Sequence, residues 1–149
     1  MATYATNKKA SFDYEFLEKF EAGIVLAGHE VKAIRANRAD LSGSYVVVRG
    51  GEALLVGATI QPFQQKNTSE HYDPEQPRKL LVSKKEIALL GKEEAKKGLT
   101  LVPISLYNKG RNIKLSFAIA RGKKQFDKRE TIKRREADRE MNRTLKNKR

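Results

Sequence analysis

From Ile113 to Ala120 the chain alternates strictly, with Ile113, Leu115, Phe117 and Ile119 on one face and Lys114, Ser116, Ala118 and Ala120 on the other. A period of two is the pattern of a strand with one side buried. It predicts the second arm of a hairpin over Leu99–Arg121 that turns through Asn108-Lys109-Gly110. In the first arm the apolar phase slips from Leu99/Leu101 to Val102/Ile104/Leu106 around Pro103. Proline cannot donate to a ladder, so a bulge or an edge position is expected there. A second hairpin is predicted over Ser44–Ile60, where two β-branched and aliphatic runs meet at Gly50-Gly51. Two glycines accept the positive φ angles of a two-residue turn. Near the start, "FDYEFLEKFEAGIVLAG" alternates less strictly and predicts one long bent strand.

Helical spacing marks two other stretches. In Ser83-Lys-Lys-Glu86 the hydroxyl can accept from the amide three residues on while Glu86 reaches back, a capping box. Ile87, Leu89 and Leu90 then face inward, and Gly98 stands as the stop. "GHEVKAIRANRADL" spaces Val31, Ile34 and Leu41 as a second helix. Gln61–Pro77 is polar and carries three prolines, which predicts a long surface loop. Short antiparallel strands with a helix between hairpins favour a closed barrel, because closure removes exposed edges. The expected fold is therefore mainly β with short flanking helices, an antiparallel barrel of the oligonucleotide-binding type.

Composition adds a second region. The 149 residues carry a formal charge of +13, with 19 Lys+Arg against 13 Asp+Glu in residues 1–121 and 12 against 5 in residues 122–149. This divides the chain into a body, 1–121, and a basic tail, 122–149. The large apolar residues of the tail from Phe126 on are Phe126, Ile132, Met141 and Leu145, too thin a stripe to hold a helix on a core. Such a segment is expected to be disordered when free and helical once phosphates neutralise its basic face.

Chemistry narrows the function. With no cysteine, disulfides, thiolate zinc sites and a cysteine nucleophile are excluded. Position 33 is Ala where a two-histidine zinc helix needs its second ligand, and His71 with Asp73 lacks a third. No cofactor and no catalytic constellation is visible, and an enzyme is not expected. The first residues lack the apolar core of a secretory signal, and no run approaches the ~18 residues of a membrane span. A cytoplasmic protein with a polyanionic partner and no membrane follows. Phosphate neutralisation by lysine and arginine gives most sequence-independent RNA affinity. Lys8, Lys9, Lys32, Arg35, Arg38, Arg78 and Lys79 flank the proposed barrel as candidates for that work.

The segments "FEAGIVLAGHEVKAIRANRADLSGSYV", "RKLLVSKKE", "GLTLVPISLY" and above all "ARGKKQFDKRETIKRRE" resemble, in order and spacing, the bacterial small protein B (SmpB) family. These are the tmRNA-binding proteins of trans-translation. The resemblance implies a barrel that binds the tRNA-like domain of tmRNA and delivers it to stalled ribosomes. The expected partners are tmRNA, small-subunit rRNA near the decoding centre and messenger channel, and the alanyl-tmRNA complex with elongation factor Tu. Carried over by position, the tmRNA face includes Asn7, Lys8, Glu21, Leu81, Ser83, Gly122, Lys123 and Lys124, joined by Lys32, Arg35, Arg78 and Lys79 from the charge reading. Ser83 stands where many members have Asn or His. For the tail the resemblance implies a probe of the empty messenger channel built from Phe126, Asp127, Lys128, Arg129, Lys133, Arg134, Arg135 and Leu145. A structural ribosomal protein on the same barrel, or an enzyme with a basic groove, are the alternatives from other classes.

Overall fold

The protein is seen in a computed structural model that describes residues 2–62 and 71–123. The elements in chain order are β1 (Thr3–Thr6), α1 (Lys8–Asp13), β2 (Tyr14–Ile24), α2 (Gly28–Arg35), β3 (Ala39–Asp40), β4 (Tyr45–Arg49) and β5 (Glu52–Val56). They continue with β6 (Thr59–Ile60), β7 (Arg78–Leu81), α3 (Lys84–Glu94), β8 (Leu99–Lys109) and β9 (Asn112–Gly122). Six strands follow one another around a ring in the order β8-β4-β5-β7-β2-β9, and a β8–β9 pairing closes it. Every pairing is antiparallel, with β1 added along the second half of β8 and β3 paired with β6 to one side. This is the expected barrel.

Local chemistry explains most of the ring. Arg49 pairs with Glu52 across Gly50 and Gly51, whose φ angles of 58° and 75° give the primed turn that matches strand twist. The register of β8 with β9 shifts between Pro103 and Ser105, so the phase slip at the proline is a bulge. That bulge lets one 11-residue strand serve three neighbours, β4 through Leu101, β1 through Ser105 to Tyr107, and β9 along its length. Ile113, Leu115, Phe117 and Ile119 point into the barrel, where Phe20 stacks on Phe117 at 5.6 Å. Ala120, on the opposite face, is also buried, under α1 with Ala10 and Val102.

Several expectations change. Lys109 pairs with Asn112, so the second hairpin turns at Gly110-Arg111, later than the expected Asn108-Lys109-Gly110, because Asn108 keeps its strand partner Ile113. The segment around Tyr14 forms a bent strand, with its register shift between Phe16 and Glu18, but Phe12 and Asp13 belong to the unforeseen α1. The second helix stops at Arg35. Asn37 takes a φ of 60° while its amide donates to the Ile34 carbonyl and the Arg38 amide to that of Ala33, a Schellman close. Leu41 reaches the core from beyond β3 instead. Ser83 and Glu86 form the capping box of α3, which buries Leu90 but leaves Leu89 38% exposed. Of the expected surface loop, residues 63–70 lie outside the described residues. Its far end is tied inward, with the Tyr72 hydroxyl 2.8 Å from the Ile60 carbonyl oxygen and the Ile60 amide donating to that of Pro74.

Candidate nucleic-acid interface

Strands β2 and β9 run side by side for their whole length, so they carry their two ends far apart and create two surfaces. At one end Tyr14 pairs with Gly122. There the Lys123 amide donates to the Asp13 carbonyl at 2.8 Å and its Nζ to the Ser11 carbonyl at 3.1 Å, at the last turn of α1. Lys8 lies exposed on the same helix. Asn7 begins that helix and is 4% exposed. Its Oδ1 accepts from the Ala10 amide at 3.2 Å, and its Nδ2 donates to the Pro103 carbonyl at 3.0 Å. Both polar ends of its side chain are used, so Asn7 fixes the lysines around it and is corrected from an RNA contact to a structural residue.

At the other end, α2 and the β8–β9 turn border the barrel mouth. Exposed Lys32 and Arg35 lie in the last turn of α2, and Arg35 Nη2 donates to the Arg111 carbonyl at 3.2 Å. Leu81, 58% exposed, ends β7 opposite Gly23. On the adjoining outer face, Glu21 pairs across β2 and β9 with Ser116, one pleat from Lys114. Its Oε1 accepts from Lys109 Nζ at 2.9 Å, and its Oε2 accepts from the Tyr107 hydroxyl. The Tyr107 bond first, then the Lys109 bond, hold its carboxyl below the ordinary glutamate range. Burial, and then the bond to Glu21, push the Tyr107 phenol up to about 12. The acid on this face is therefore ionised and already surrounded by donors.

Arg78 is a second correction. It is 2% exposed, because β7 alternates strictly and Leu80, two residues on, also points inward. Arg78 Nη2 and Nε lie 2.7 and 3.0 Å from Glu30 Oε2, and Nη1 donates to the Ala58 carbonyl at 2.9 Å. A guanidinium with all its edges bonded inside the fold has nothing left for a phosphate. Its neighbour Lys79 points outward, half exposed and 3.2 Å from Glu52. The Ser83 hydroxyl accepts from the Glu86 amide at 3.1 Å and is spent on the cap of α3.

The structure thus brings together Glu21, Arg35 and Leu81 near one end and Lys8, Gly122 and Lys123 at the other. Tyr107, Lys109, Arg111 and Lys114 join the first group although sequence reasoning passed over them. The usable signal was the polar face of β9 and the charged turn beside it. A further surface at the α1 end pairs Tyr14 with the 42% exposed Tyr45, and the bond from that neighbour pushes Tyr14 up to about 12. Lys124, Phe126, Asp127, Lys128, Arg129, Lys133, Arg134, Arg135 and Leu145 lie outside the described residues. Among the described residues no cluster of three metal-ligating side chains occurs, and no helix is long and apolar enough to cross a membrane.

Comparison with known proteins decides the family. The model of the SmpB protein family matches residues 4–147. The chain belongs to the SmpB family. That family consists of RNA-binding proteins, not enzymes. An SsrA-binding protein of Ralstonia pickettii is 52% identical over 148 residues, covering 98% of this chain and 99% of that one. One from Coxiella burnetii is 51% identical over 144 residues, covering 97% and 91%. A solved structure described as "tmRNA-SmpB: a journey to the center of the bacterial ribosome" superposes with a TM-score of 0.67 at 41% identity, covering 80% of this chain and 84% of its own.

Proposed function

We propose that this protein binds the tRNA-like domain of tmRNA with its barrel and delivers it to stalled ribosomes for trans-translation. The observation that carries this reading is the identity of about half of all residues with SsrA-binding proteins over nearly the whole chain. The exposed Lys32, Arg35, Lys109, Arg111 and Lys114, gathered beside Leu81, supply phosphate neutralisation next to apolar surface, as recognition of unpaired RNA requires. Alanyl-tmRNA with elongation factor Tu is the cargo in this scheme.

The tail, from Gly122 on, acts as the sensor. A messenger in the channel fills with phosphate the space the tail needs. Only a vacant channel lets Lys128, Arg129, Lys133, Arg134 and Arg135 neutralise rRNA. Ordering a chain costs about 1–2 kcal/mol per backbone residue, so partial access gives little binding. Asp127 suits a helix start and Phe126 a stacked base. Leu145 supplies an apolar anchor near the end.

The test has two parts. Sequencing the RNA recovered with the purified protein is expected to return tmRNA; bulk rRNA alone would overturn the reading in favour of a permanent ribosomal protein. Truncation after Lys124 is expected to keep the melting transition and to hold free tmRNA affinity within about tenfold, or ~1.4 kcal/mol. Changing Asp127, Lys128 and Arg129 together to Ala should abolish peptide tagging with tmRNA binding intact. Normal tagging by that variant, or equal tagging on short and long messages by the unchanged protein, would remove channel sensing from the scheme.

A further inference from the structure

Between β2, α2, the end of β7 and the β8–β9 turn lies a hollow of about 310 Å³. Its floor is aliphatic, made by Ile24, Leu26, Val31 and Leu81. Its rim carries Arg35, Arg111 and Lys114, and no carboxylate lines it. Gly23 keeps it open, since a Cβ at that position would come within 3.3 Å of Leu81 Cδ1 and press that side chain across the space. Aliphatic side chains left in contact with water in a concave site mark a partner that covers them.

We propose that this hollow receives one unpaired nucleotide of the bound RNA, with its base against the aliphatic floor and its phosphate among the three cations. The assignment rests on the RNA-binding reading above and names a subsite within it. Charge fixes the sign of the ligand, because three cations with no acid among the lining residues repel a basic partner. Apolar area fixes the part that enters. A stacked duplex offers phosphates but no free base face, whereas an unpaired nucleotide offers both, a flat π-surface and an anion one bond system away. Size fixes the number, since the volume stands at the low end for small-ligand sites and suits one base. The Arg35 guanidinium is held at the rim by its bond to the Arg111 carbonyl, and its remaining donors are free to face outward. Lys114 sits between the hollow and Glu21, so the subsite adjoins the carboxylate that the family resemblance assigns to tmRNA.

The experiment uses the full-length protein and the tRNA-like domain of tmRNA. Each unpaired nucleotide is replaced in turn by fluorescent 2-aminopurine, then by an abasic residue. One position is expected to change its fluorescence on binding, and its abasic form should bind about tenfold more weakly, the scale of one stacked base. Arg111→Ala with Lys114→Ala should lower affinity by a similar factor with the melting temperature unchanged, and should make the abasic substitution harmless. Wild-type affinity in that double variant, or independent multiplication of the two effects, would overturn the subsite while leaving RNA binding in place. Loss of the fluorescence change to a polyglutamate peptide while the RNA stays bound would assign the hollow to a protein partner. Failure of the unchanged protein to bind the RNA at all would overturn the functional reading, and the subsite with it.

Discussion

Glu30 and Glu21 have the same immediate company, a tyrosine hydroxyl and one cation, and opposite fates. The Glu30 side chain is 3% exposed and that of its partner Arg78 2%. Glu30 Oε1 accepts from the Ala27 amide at 3.0 Å, while Oε2 takes Arg78 and lies 3.1 Å from the Tyr72 hydroxyl. These bonds join the start of α2, the end of the long loop, β7 and, through Ala58, the β5–β6 link. Glu21 binds Tyr107 and Lys109 on the outer face, with side chains 38% and 56% exposed for the ion pair. Removed from water, the first group has its lone pairs and N–H donors matched inside the fold. The second keeps lone pairs that can still face a ligand. The lesson is that identical chemistry is structural or functional according to which solvent it has lost.

The largest effect should come from breaking the buried pair. Arg78→Ala leaves the Glu30 carboxylate inside without its cation, a loss of about 3–5 kcal/mol. A fall in melting temperature of more than about 10 °C is expected. Glu30→Leu with Arg78→Met should recover much of it, since an apolar pair of similar volume avoids the desolvation cost. A melting temperature of Arg78→Ala within a few degrees of the wild type would show that this network is not what closes the barrel seam.

Acid separates the two carboxylates next. Burial alone would raise the Glu30 pKa, but the Ala27 amide, then the Arg78 bond and charge, outweigh it and hold the carboxyl below the ordinary range. A folded pKa below the unfolded one gives stability that is full above the unfolded value and lost as pH falls through the folded one. Wild-type stability should therefore decline on acidification, and Glu30→Gln should flatten that limb. Glu21→Gln should leave it nearly unchanged, because exposed charges are screened. At high pH the sign reverses. Tyr72, pushed up to about 12 by burial and then by the Glu30 charge, gives stability that is full below the ordinary tyrosine value and lost as pH rises toward 12. A steeper acid limb for Glu21→Gln than for Glu30→Gln would invert the comparison.

What could be read from the sequence follows the same division between local and distant causes. The Gly50-Gly51 turn, the Ser83 cap and the slip at Pro103 depend on residues within one turn of each other, and all three are where the pattern puts them. The burial of Arg78 depends on which of Leu80 and Leu81 faces the core, and "RKLL" alone does not say. Helix α1 has six residues and rests on Asn7 reaching Pro103, 96 positions away. Glu21 meets Tyr107 86 positions on, so its donors were invisible while its own place on the face was carried over by family likeness. Arg111 and Lys114 were passed over because single cations in a hairpin carry no pattern until the mouth is assembled around them.

On the exposed side, Glu21→Ala should reverse the balance of the Arg78 result. The melting temperature should stay within error while affinity for the tRNA-like domain falls about five- to tenfold. Glu93→Ala, which removes a surface acid 2.8 Å from Lys96 on α3, is the control and should change neither. Equal affinities for the two variants, or tighter binding without Glu21, would return this carboxylate to the status of a surface charge.

The smallest effect tests whether the donors around Glu21 set its orientation. Tyr107→Phe keeps the ring, the strand and the Lys109 pair, and deletes one hydroxyl that donates to Oε2. The freed oxygen is left to water or to RNA, and the carboxylate loses one of the two bonds that fix its plane. Stability should not change, because the site is open to solvent and water replaces the lost donor. Affinity for the tRNA-like domain should fall about two- to threefold, the scale of one neutral hydrogen bond, and the fall should vanish in a Glu21→Ala background. That non-additivity is the decisive reading, since it assigns the hydroxyl a role exercised only through the carboxylate. If Tyr107→Phe weakens binding equally with and without Glu21, the phenol meets the RNA itself, and Glu21 stands on the face without a positioning partner.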